Sequence, residues 1–313
     1  MKGRMESNQM KTRNRATLSL GSLLLALLLA IGAAPLLPNA QVLAAPGVAQ
    51  GASIAATLPA TTCSFDGATR TCELWATTGT LTMPDLTIVP VWGFADVDGA
   101  PAQVPGPAII ANAGETLEVI LHNNLAGETV SLTFPGQMGL LPDLAGVAAG
   151  GTVTYTFDLA APGTYLYEAG MTPNGARQVA MGMYGALVVR PTAAPGQAYD
   201  NAATAFDDEA LLILGAIDPL FNADPNNYDV QFFSPEYWLI NGLAYPDTVD
   251  IDTVAGNTLL LRYLNATERT QGMGTLGLRQ LVIGNDGYPV DPPYGVVNET
   301  IAAGQSMDML VSV

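Results

Sequence analysis

Two ten-residue segments, GETLEVILHN at 114–123 and GNTLLLRYLN at 256–265, decide the fold of this chain. Each begins with a glycine, which suits the tight turn before a strand, and ends with an asparagine nine positions later. A second matched pair follows, because AGGT at 149–152 and AGQS at 303–306 each open a further strand. Self-similarity in this order predicts two copies of one structural unit.

The two copies are predicted to consist of short strands. Residues 152–157, TVTYTF, alternate polar and apolar side chains, which places Val153, Tyr155 and Phe157 on one face of a strand. The chain of 313 residues holds 33 Gly and 22 Pro, and only 12% of its residues are charged, which favours turns over long helices. The sequence therefore predicts an all-β fold. Further strands are predicted at 117–121, 164–167, 186–189, 211–214, 258–264 and 309–313.

The first 45 residues are predicted to be an export signal. A basic start with five Lys and Arg residues precedes an apolar run at 18–31, and Leu43-Ala44-Ala45 offers a cleavage site. Gly32, Pro35 and Pro38 interrupt the apolar stretch, which disfavours a membrane-spanning helix of about 20 residues. An uncleaved membrane anchor is the alternative. We therefore expect a secreted or cell-envelope protein.

The charge of the remaining chain restricts its partners. After residue 45 there are 6 basic and 27 acidic residues, a net charge of −21, and no lysine. Such a surface repels phosphate backbones, which disfavours nucleic acid as a partner. The sequence contains no Gly-rich phosphate loop or zinc signature, and its single histidine excludes most hydrolytic triads. The sequence is therefore compatible with a protein or small-molecule partner, which it does not identify.

Cys63 and Cys72 are predicted to form a disulfide, which is the default outside the cytosol. The Asp-Gly dipeptide at 66–67 is a hairpin turn signal. A four-residue loop around it would pair Phe65 with Arg70 and place the two cysteines opposite each other, near enough to bridge. This disulfide is expected to be structural.

Five segments are expected along the chain. They are the signal at 1–45, an extension with the disulfide hairpin at 46–83, a first domain at 84–192, a linker at 193–206 and a second domain at 207–313. The second copy stops at residue 313, before any counterparts of the strands near 162–167 and 184–189 of the first copy. We therefore expect the second domain to be incomplete, with an unpaired sheet edge.

Several motifs, taken in their order, resemble the first two cupredoxin domains of the multicopper oxidase family. Those similar to the first domain are VPGP at 104–107, GET at 114–116, NNL at 123–125, PGTYLY at 162–167 and MYGALVV at 183–189. Those similar to the second domain are ING at 240–242, LRYLN at 261–265, DG at 286–287 and AGQ at 303–305. The resemblance implies two tandem cupredoxin-like Greek-key β-sandwiches, copper as the cofactor and oxidoreductase activity.

In that family the first domain supplies two His-x-His pairs to a trinuclear copper site. Neutral imidazole suits copper, and a strand points alternate residues to one side. By the resemblance, the first pair falls at Thr133 and Pro135 and the second at Glu168 and Gly170. None of these is histidine, so we predict no catalytic, cofactor-binding or metal-binding residue at these degenerate positions. Copper is implied by the family alone.

The other potential copper ligands have simpler interpretations. The only histidine, His122, is expected to be solvated or to cap a strand end. Two Met-x-Met pairs, at 181–183 and 307–309, each place two thioethers on one side of a strand. Thioethers are soft Cu(I) ligands, and core packing is the other use of methionine.

Two further groups of residues carry functional alternatives. The carboxylates Glu128, Asp143 and Glu168 are expected near the position of the family's cluster, where paired carboxylates would suit acid–base chemistry. No motif in the sequence indicates that these three carboxylates lie close together. The aromatic run FFSPEYW at 232–238 is expected to pack between the domains rather than to form a recognition surface.

Three functions are compatible with these observations. The first is a non-catalytic binding or scaffold protein, or a fragment of one, that keeps the fold of the family without its trinuclear copper ligands. The second is the amino-terminal part of a copper-dependent oxidoreductase of that family. The third is a copper carrier that uses methionine ligands.

Overall fold

The repeated segments form equivalent strands inside two different sheets of the computed structural model, which describes residues 53–54 and 60–313. In the first strand, Thr116–Asn123, the alternate residues Leu117, Val119 and Leu121 are buried, because successive side chains lie on opposite faces. The second strand, Thr258–Asn265, is buried along almost its whole length, since both faces of its sheet are covered. The predicted all-β fold is confirmed.

The remaining strands range from two residues to the 14 residues of the strand Thr69–Thr82. In chain order the strands are β1 (Ser53–Ile54), β2 (Ser64–Phe65), β3 (Thr69–Thr82), β4 (Ile88–Ala95), β5 (Ile109–Asn112), β6 (Thr116–Asn123), β7 (Thr129–Val130), β8 (Leu132–Thr133), β9 (Val147–Ala148), β10 (Thr152–Asp158), β11 (Gly163–Ala169), β12 (Tyr184–Arg190), β13 (Asp208–Ile217), β14 (Tyr237–Ile240), β15 (Leu243–Ala244), β16 (Thr258–Asn265), β17 (Gln271–Gly274), β18 (Gln280–Asn285), β19 (Tyr288–Val296), β20 (Asn298–Ile301) and β21 (Ser306–Ser312).

Helices in the described part of the chain are few and short. Two are α-helical, α1 (Gly175–Ala180) and α2 (Pro219–Ala223), and two are 3-10 turns at Ala202–Thr204 and Val230–Phe232. Among the described residues, none of these helices has the length and apolar character that crossing a bilayer requires. The predicted export signal at 1–45 lies outside the described residues.

Residues 60–190, here called domain 1, form two main sheets around one core, and β7 and β9 make a small third sheet. The first sheet has the strand order β10-β6-β3-β2, with β4 also paired to β3, and the second has the order β5-β12-β11-β8. Buried side chains from both sheets, such as Leu74 and Leu187, meet in this core. The segment 46–83, expected as an extension ahead of the domain, contributes β3, which pairs with both β4 and β6.

Residues 207–313, here called domain 2, are built on a sheet with the order β15-β14-β13-β16-β21-β18-β19. One face of this sheet carries Leu261, which packs in a core with Ile301 from the small β17–β20 sheet. The opposite face carries Ile213, which packs against Leu166 of β11 in domain 1. The two domains therefore share an apolar core, and the outer face of the second sheet of domain 1 is one wall of it.

The asparagines that end the two repeated segments have the same structural role. Asn123 is fully buried, and its amide donates to the carbonyl oxygens of Glu128 (2.9 Å) and Val147 (2.8 Å) while its oxygen accepts from the backbone N–H of Leu125 (2.9 Å). Asn265 is also fully buried and makes the equivalent bonds in domain 2. Its partners are Thr267, Arg269, Ile301 and Ala302. In each copy one side chain therefore fixes the loops at both sides of the strand end.

A buried charged network joins the two domains. Arg262 of β16 is fully buried, and its guanidinium donates from Nε to Glu209 (2.5 Å) and from Nη1 to the hydroxyl of Thr164 in domain 1 (2.8 Å). Arg190 of domain 1 donates to the other oxygen of the Glu209 carboxylate. Asp308 lies 3.3 Å from Arg262 Nη1 and accepts from the Thr164 hydroxyl at 2.6 Å. Every charged member of this network is thus paired with a group of opposite charge, while Nη2 of Arg262 has no hydrogen-bond partner in the described residues.

The network depends on the ionised form of Glu209. Burial alone would raise the pKa of Glu209, but the guanidinium groups of Arg262 and Arg190 hold it below the ordinary value. A carboxyl whose pKa is lowered on folding stabilises the fold above its unfolded pKa, and this contribution is lost as the pH falls through the folded value. The junction is therefore weakened by acid.

The disulfide hairpin has the predicted register. Ser64 pairs with Thr71 and Phe65 pairs with Arg70. Cys63 and Cys72 form the predicted disulfide, with their Cα atoms 4.4 Å apart. Because Cys72 is buried in the core of domain 1, the disulfide ties the start of the domain to that core.

Substitution of Arg262 is expected to destabilise the protein strongly. Arg262→Ala leaves Glu209 and Asp308 buried with fewer partners, and breaking a buried ion pair in this way costs about 3–5 kcal/mol. The free energy of unfolding from urea denaturation measures the loss. Arg269→Ala, at an exposed ion pair with Glu268, is the control and should change stability little. Equal effects of the two substitutions would contradict a structural role for the network.

Loss of the disulfide is expected to lower stability by about 2–3 kcal/mol, because the unfolded chain gains the entropy of an open loop. Urea denaturation of the wild type with and without reductant measures the difference. A variant with both Cys63→Ser and Cys72→Ser should unfold at the lower midpoint in both conditions. If reductant leaves the midpoint of the wild type unchanged, the predicted contribution is wrong.

Candidate functional site

The two pairs of degenerate positions meet at one edge of domain 1. Thr133 of β8 lies directly opposite Glu168 of β11, and Leu132 lies opposite Ala169, in an antiparallel pairing. Pro135 follows β8 and is exposed, and Gly170 follows β11. The structure therefore pairs Thr133 with Glu168, one residue from each of the two segments at the family's ligand positions.

The side chains at these positions do not fit a trinuclear copper cluster. Thr133 offers a neutral hydroxyl and Glu168 a single carboxylate, whereas proline and glycine have no side-chain donor. The space beside Gly170 is also occupied, because a Cβ added there would collide with the hydroxyl oxygen of Ser131. Ser131 is fully buried, and the backbone of Leu132 lies 3.1 Å from the same point, so a histidine at 170 would require the Ser131 hydroxyl to move and would press on Leu132. In the described residues no group of three or more His, Cys, Asp or Glu could hold a metal ion.

Glu168 lies on the face of β11 that points to domain 2. Thr164 and Leu166 share this face, since Thr164 bonds to Arg262 and Leu166 packs in the core between the domains. Glu168 is partly buried, and no hydrogen bond or ion pair to its carboxylate is found in the described part of the chain. Burial raises the pKa of Glu168 above its ordinary value, because the charged form loses water and gains no partner.

The Glu168 carboxylate borders an open pocket of about 410 Å³ between the domains, which we call the junction pocket. Its walls come from β11 and α1 in domain 1, from the 3-10 turn at Val230–Phe232 with the residue after it, and from the loops that follow β16 and precede β21 in domain 2. The lining residues are Glu168, Ala176, Val179, Ala180, Val230, Phe233, Ala266, Thr267, Glu268, Ala303 and Gly304. Apolar side chains therefore form most of the lining.

A second pocket, of about 340 Å³, adjoins the junction pocket. It is bordered by Pro135, Gly136 and Tyr165 of domain 1 and by Asp286 of domain 2, and it shares the turn at Ala303 and Gly304 with the junction pocket. The degenerate edge of domain 1 therefore faces a groove against domain 2 rather than a closed interior.

The other two carboxylates of the sequence analysis are engaged elsewhere. Glu128 is buried and accepts from Arg177 (2.7 Å), Gln178 (2.9 Å) and Asn174 (3.2 Å), which fixes α1 against the loop after β6. Asp143 accepts from backbone N–H groups of its own loop and from the hydroxyl of Tyr155 at 2.8 Å. The structure therefore assigns structural bonds to both, and leaves Glu168 as the carboxylate without a partner among the three.

The only histidine of the chain is bound to surface groups of the first sheet. The ring of His122 stacks on Trp75 with centroids 4.7 Å apart, and its nitrogens lie 3.0 Å from Glu73 and 3.1 Å from Thr152. Sequence reasoning missed the stacking, because it depends on the parallel pairing of β3 with β6, which aligns Trp75 with His122.

The Met-x-Met pairs lie in apolar cores. Met307 and Met309 share the core of domain 2, while Met183 lies in the core of domain 1 and Met181 in a small cluster between the domains. This placement favours packing as their role.

The aromatic run at 232–238 divides between core and surface. Phe233 is buried and packs edge-to-face on Phe221, with ring centroids 5.2 Å apart, in the cluster that contains Met181 of domain 1. Phe232, in contrast, is 71% exposed. The expected packing between the domains therefore holds for Phe233.

Comparison with known proteins points to one family. Residues 93–194 match a family model described as multicopper oxidase. The chain is 27% identical over 219 residues to the multicopper oxidase MmcO of Mycobacterium tuberculosis, a match that covers 60% of this chain and 42% of that protein. It is 34% identical over 115 residues to a copper-containing nitrite reductase of Neisseria meningitidis, which covers 36% of this chain and 28% of that protein. The chain thus spans less than half the length of these relatives.

Solved structures give the same fold. A multicopper oxidase called mgLAC superposes with a TM-score of 0.69 at 21% identity, covering 78% of this chain and 76% of that one. A blue copper oxidase from Nitrosomonas europaea superposes with a TM-score of 0.68 at 20% identity over the same shares of the two chains. At this level of identity the likeness shows the cupredoxin-like fold.

The unpartnered Glu168 predicts a stabilising substitution. A group whose pKa is raised on folding stabilises the fold below its unfolded pKa, and this contribution is lost as the pH rises through the folded value. Glu168→Gln should therefore raise the thermal midpoint at pH 7, and the gain should vanish below the ordinary glutamate value of 4.5. Thermal unfolding across this pH range measures it. Glu128→Gln, at a paired carboxylate, is the matched control and should destabilise at pH 7. A destabilising effect of Glu168→Gln at pH 7 would show that its carboxylate has a partner.

Proposed function

We propose, for a chain that belongs to the multicopper oxidase family, that these two domains bind a partner without carrying out copper-dependent oxidation. The observation that supports the proposal is the set of side chains at the family's ligand positions. Thr133, Pro135, Glu168 and Gly170 supply one carboxylate and no imidazole, and Ser131 occupies the space that a side chain at 170 would need.

The contacts that hold the two domains together are apolar contacts, hydrogen bonds and ion pairs, which is compatible with a binding role. Each domain has its own apolar core, and the two are joined by shared apolar contacts and by the network around Arg262. The junction pocket remains open beside Glu168 and offers a place for a ligand. We further propose a location outside the cytoplasm, supported by the disulfide between Cys63 and Cys72 and by the predicted signal.

A second candidate is the amino-terminal part of a copper-dependent oxidoreductase. The coverage of the relatives favours it, because the match to MmcO spans 42% of that protein. In this proposal the two domains would serve as a scaffold for copper held by further residues of a longer protein. The nucleotide sequence beyond codon 313 tests it directly, since a downstream cupredoxin domain with histidine and cysteine ligands would favour this candidate.

Metal analysis of the full chain tests the binding proposal. After expression with copper, the purified protein should contain less than one copper ion per chain and should not oxidise a phenolic substrate. Two or more copper ions per chain with turnover would overturn the proposal. One Cu(I) per chain that is lost in a Met307→Leu and Met309→Leu variant would instead favour a methionine-based copper carrier. Glu168→Gln serves as the control, and its copper content should equal that of the wild type.

A further inference from the structure

The junction pocket combines an apolar lining with one carboxylate that has no partner in the described residues. Val179 and Ala180 of α1 lie on its domain 1 side, and Phe233 and Ala266 lie on its domain 2 side. The volume of about 410 Å³ is within the range of pockets that hold small organic molecules. Its shape and lining therefore suit a compact ligand with an apolar body.

The charged side chains of the lining determine whether a positively or a negatively charged ligand is favoured. Glu168 and Glu268 are the two ionisable residues in the lining. Glu268 is exposed and lies 3.4 Å from Arg269, whereas no ion pair is found for Glu168 in the described part of the chain. Arg177, also on α1, is bound to Glu128 at 2.7 Å. The lining itself presents two carboxylates and no basic side chain, and Arg177 and Arg269 are each paired with a glutamate, which favours a cationic ligand over an anionic one.

We propose that the junction pocket binds a small organic cation, with the ammonium group of the ligand at the Glu168 carboxylate and its apolar body against α1 and Phe233. This inference rests on the proposed function, because it names the ligand class of the binding module. A charge-assisted hydrogen bond from an ammonium group would supply the partner that Glu168 lacks. The net charge of −21 after residue 45 attracts cations to the protein and favours their encounter with the pocket.

The raised pKa of Glu168 also favours a positively charged ligand. A carboxyl that is desolvated without a partner is held in an unfavourable environment, and a bound cation relieves it. A divalent metal ion is a less suitable occupant, since no group of three or more metal-ligating side chains is found in the described residues. Metal binding is therefore an outcome that the experiment must separate from amine binding.

Benzylamine, benzyl alcohol and benzoate are suitable probes, because they share one aromatic body and differ in charge. Isothermal titration of the full chain at pH 7 should show benzylamine binding at least about tenfold more tightly than benzyl alcohol, as expected for one charge-assisted hydrogen bond, and no binding of benzoate. Glu168→Gln should remove this preference. Asp200→Asn, at an exposed carboxylate outside the pocket, is the matched control and should keep it.

A second variant tests the place of binding independently of charge. Ala176 is exposed on α1 and lines the pocket, so Ala176→Trp should fill part of it with little effect on the fold and weaken benzylamine binding at least about tenfold. Circular dichroism checks that each variant is folded. Equal affinity for benzylamine and benzyl alcohol, or unchanged benzylamine binding in Glu168→Gln, overturns the proposal. So does binding that requires added Cu(II) or Zn(II).

The same samples distinguish this inference from the proposed function. Copper content and oxidase turnover are measured beside the titrations. If the protein binds benzylamine but also holds two or more copper ions and oxidises a substrate, the proposed ligand class is supported and the non-catalytic function is overturned. If the protein is copper-free and inactive but does not bind benzylamine more tightly than benzyl alcohol, the non-catalytic function is supported and the proposed ligand class is overturned.

Discussion

The guanidinium of Arg262 has to be neutralised at a place that water does not reach, and the arrangement of the two domains depends on this requirement. A charge in such surroundings is tolerated only when it is paired and hydrogen-bonded. Glu209 and Asp308 of domain 2 supply the charges, and Thr164 of domain 1 supplies the hydroxyl. Because Thr164 and Glu168 lie on the same face of β11, the bond that fixes Thr164 against domain 2 also fixes the position of Glu168 at the junction pocket.

The pairing of β8 with β11 is made by the backbone and does not depend on the side chains at its end. Thr133 and Glu168 still face each other across β8 and β11, although neither position carries an imidazole. Beside Gly170, the hydroxyl of Ser131 lies in the space that a side chain at this position would take. A β-sandwich of this kind obtains its stability from apolar cores and buried hydrogen bonds, so its strands persist when metal ligands are lost.

Local sequence patterns predicted strands such as β6, β10 and β16 and the register of the disulfide hairpin. These features depend on the alternation of polar and apolar residues and on turn residues, both of which can be recognised within a short segment. The position of β3 beside β6, the stacking of Trp75 on His122 and the burial of Arg262 were not predicted. Each of them depends on pairing between distant segments, and an arginine in a strand gives no local sign that it is buried. The junction pocket was missed for the same reason, because its walls come from both domains.

The choice of arginine at the junction has a consequence for alkaline conditions. An ammonium group begins to lose its proton in mildly alkaline solution, whereas a guanidinium remains charged throughout the range that proteins tolerate. Tyr199, whose hydroxyl donates to Asp308 at 2.7 Å, also keeps its proton, since burial and the neighbouring carboxylate raise its pKa far above the ordinary value. Arg262 and Tyr199 therefore both keep their protons in moderate base, so their bonds to Asp308 persist where a lysine in place of Arg262 would lose its charge.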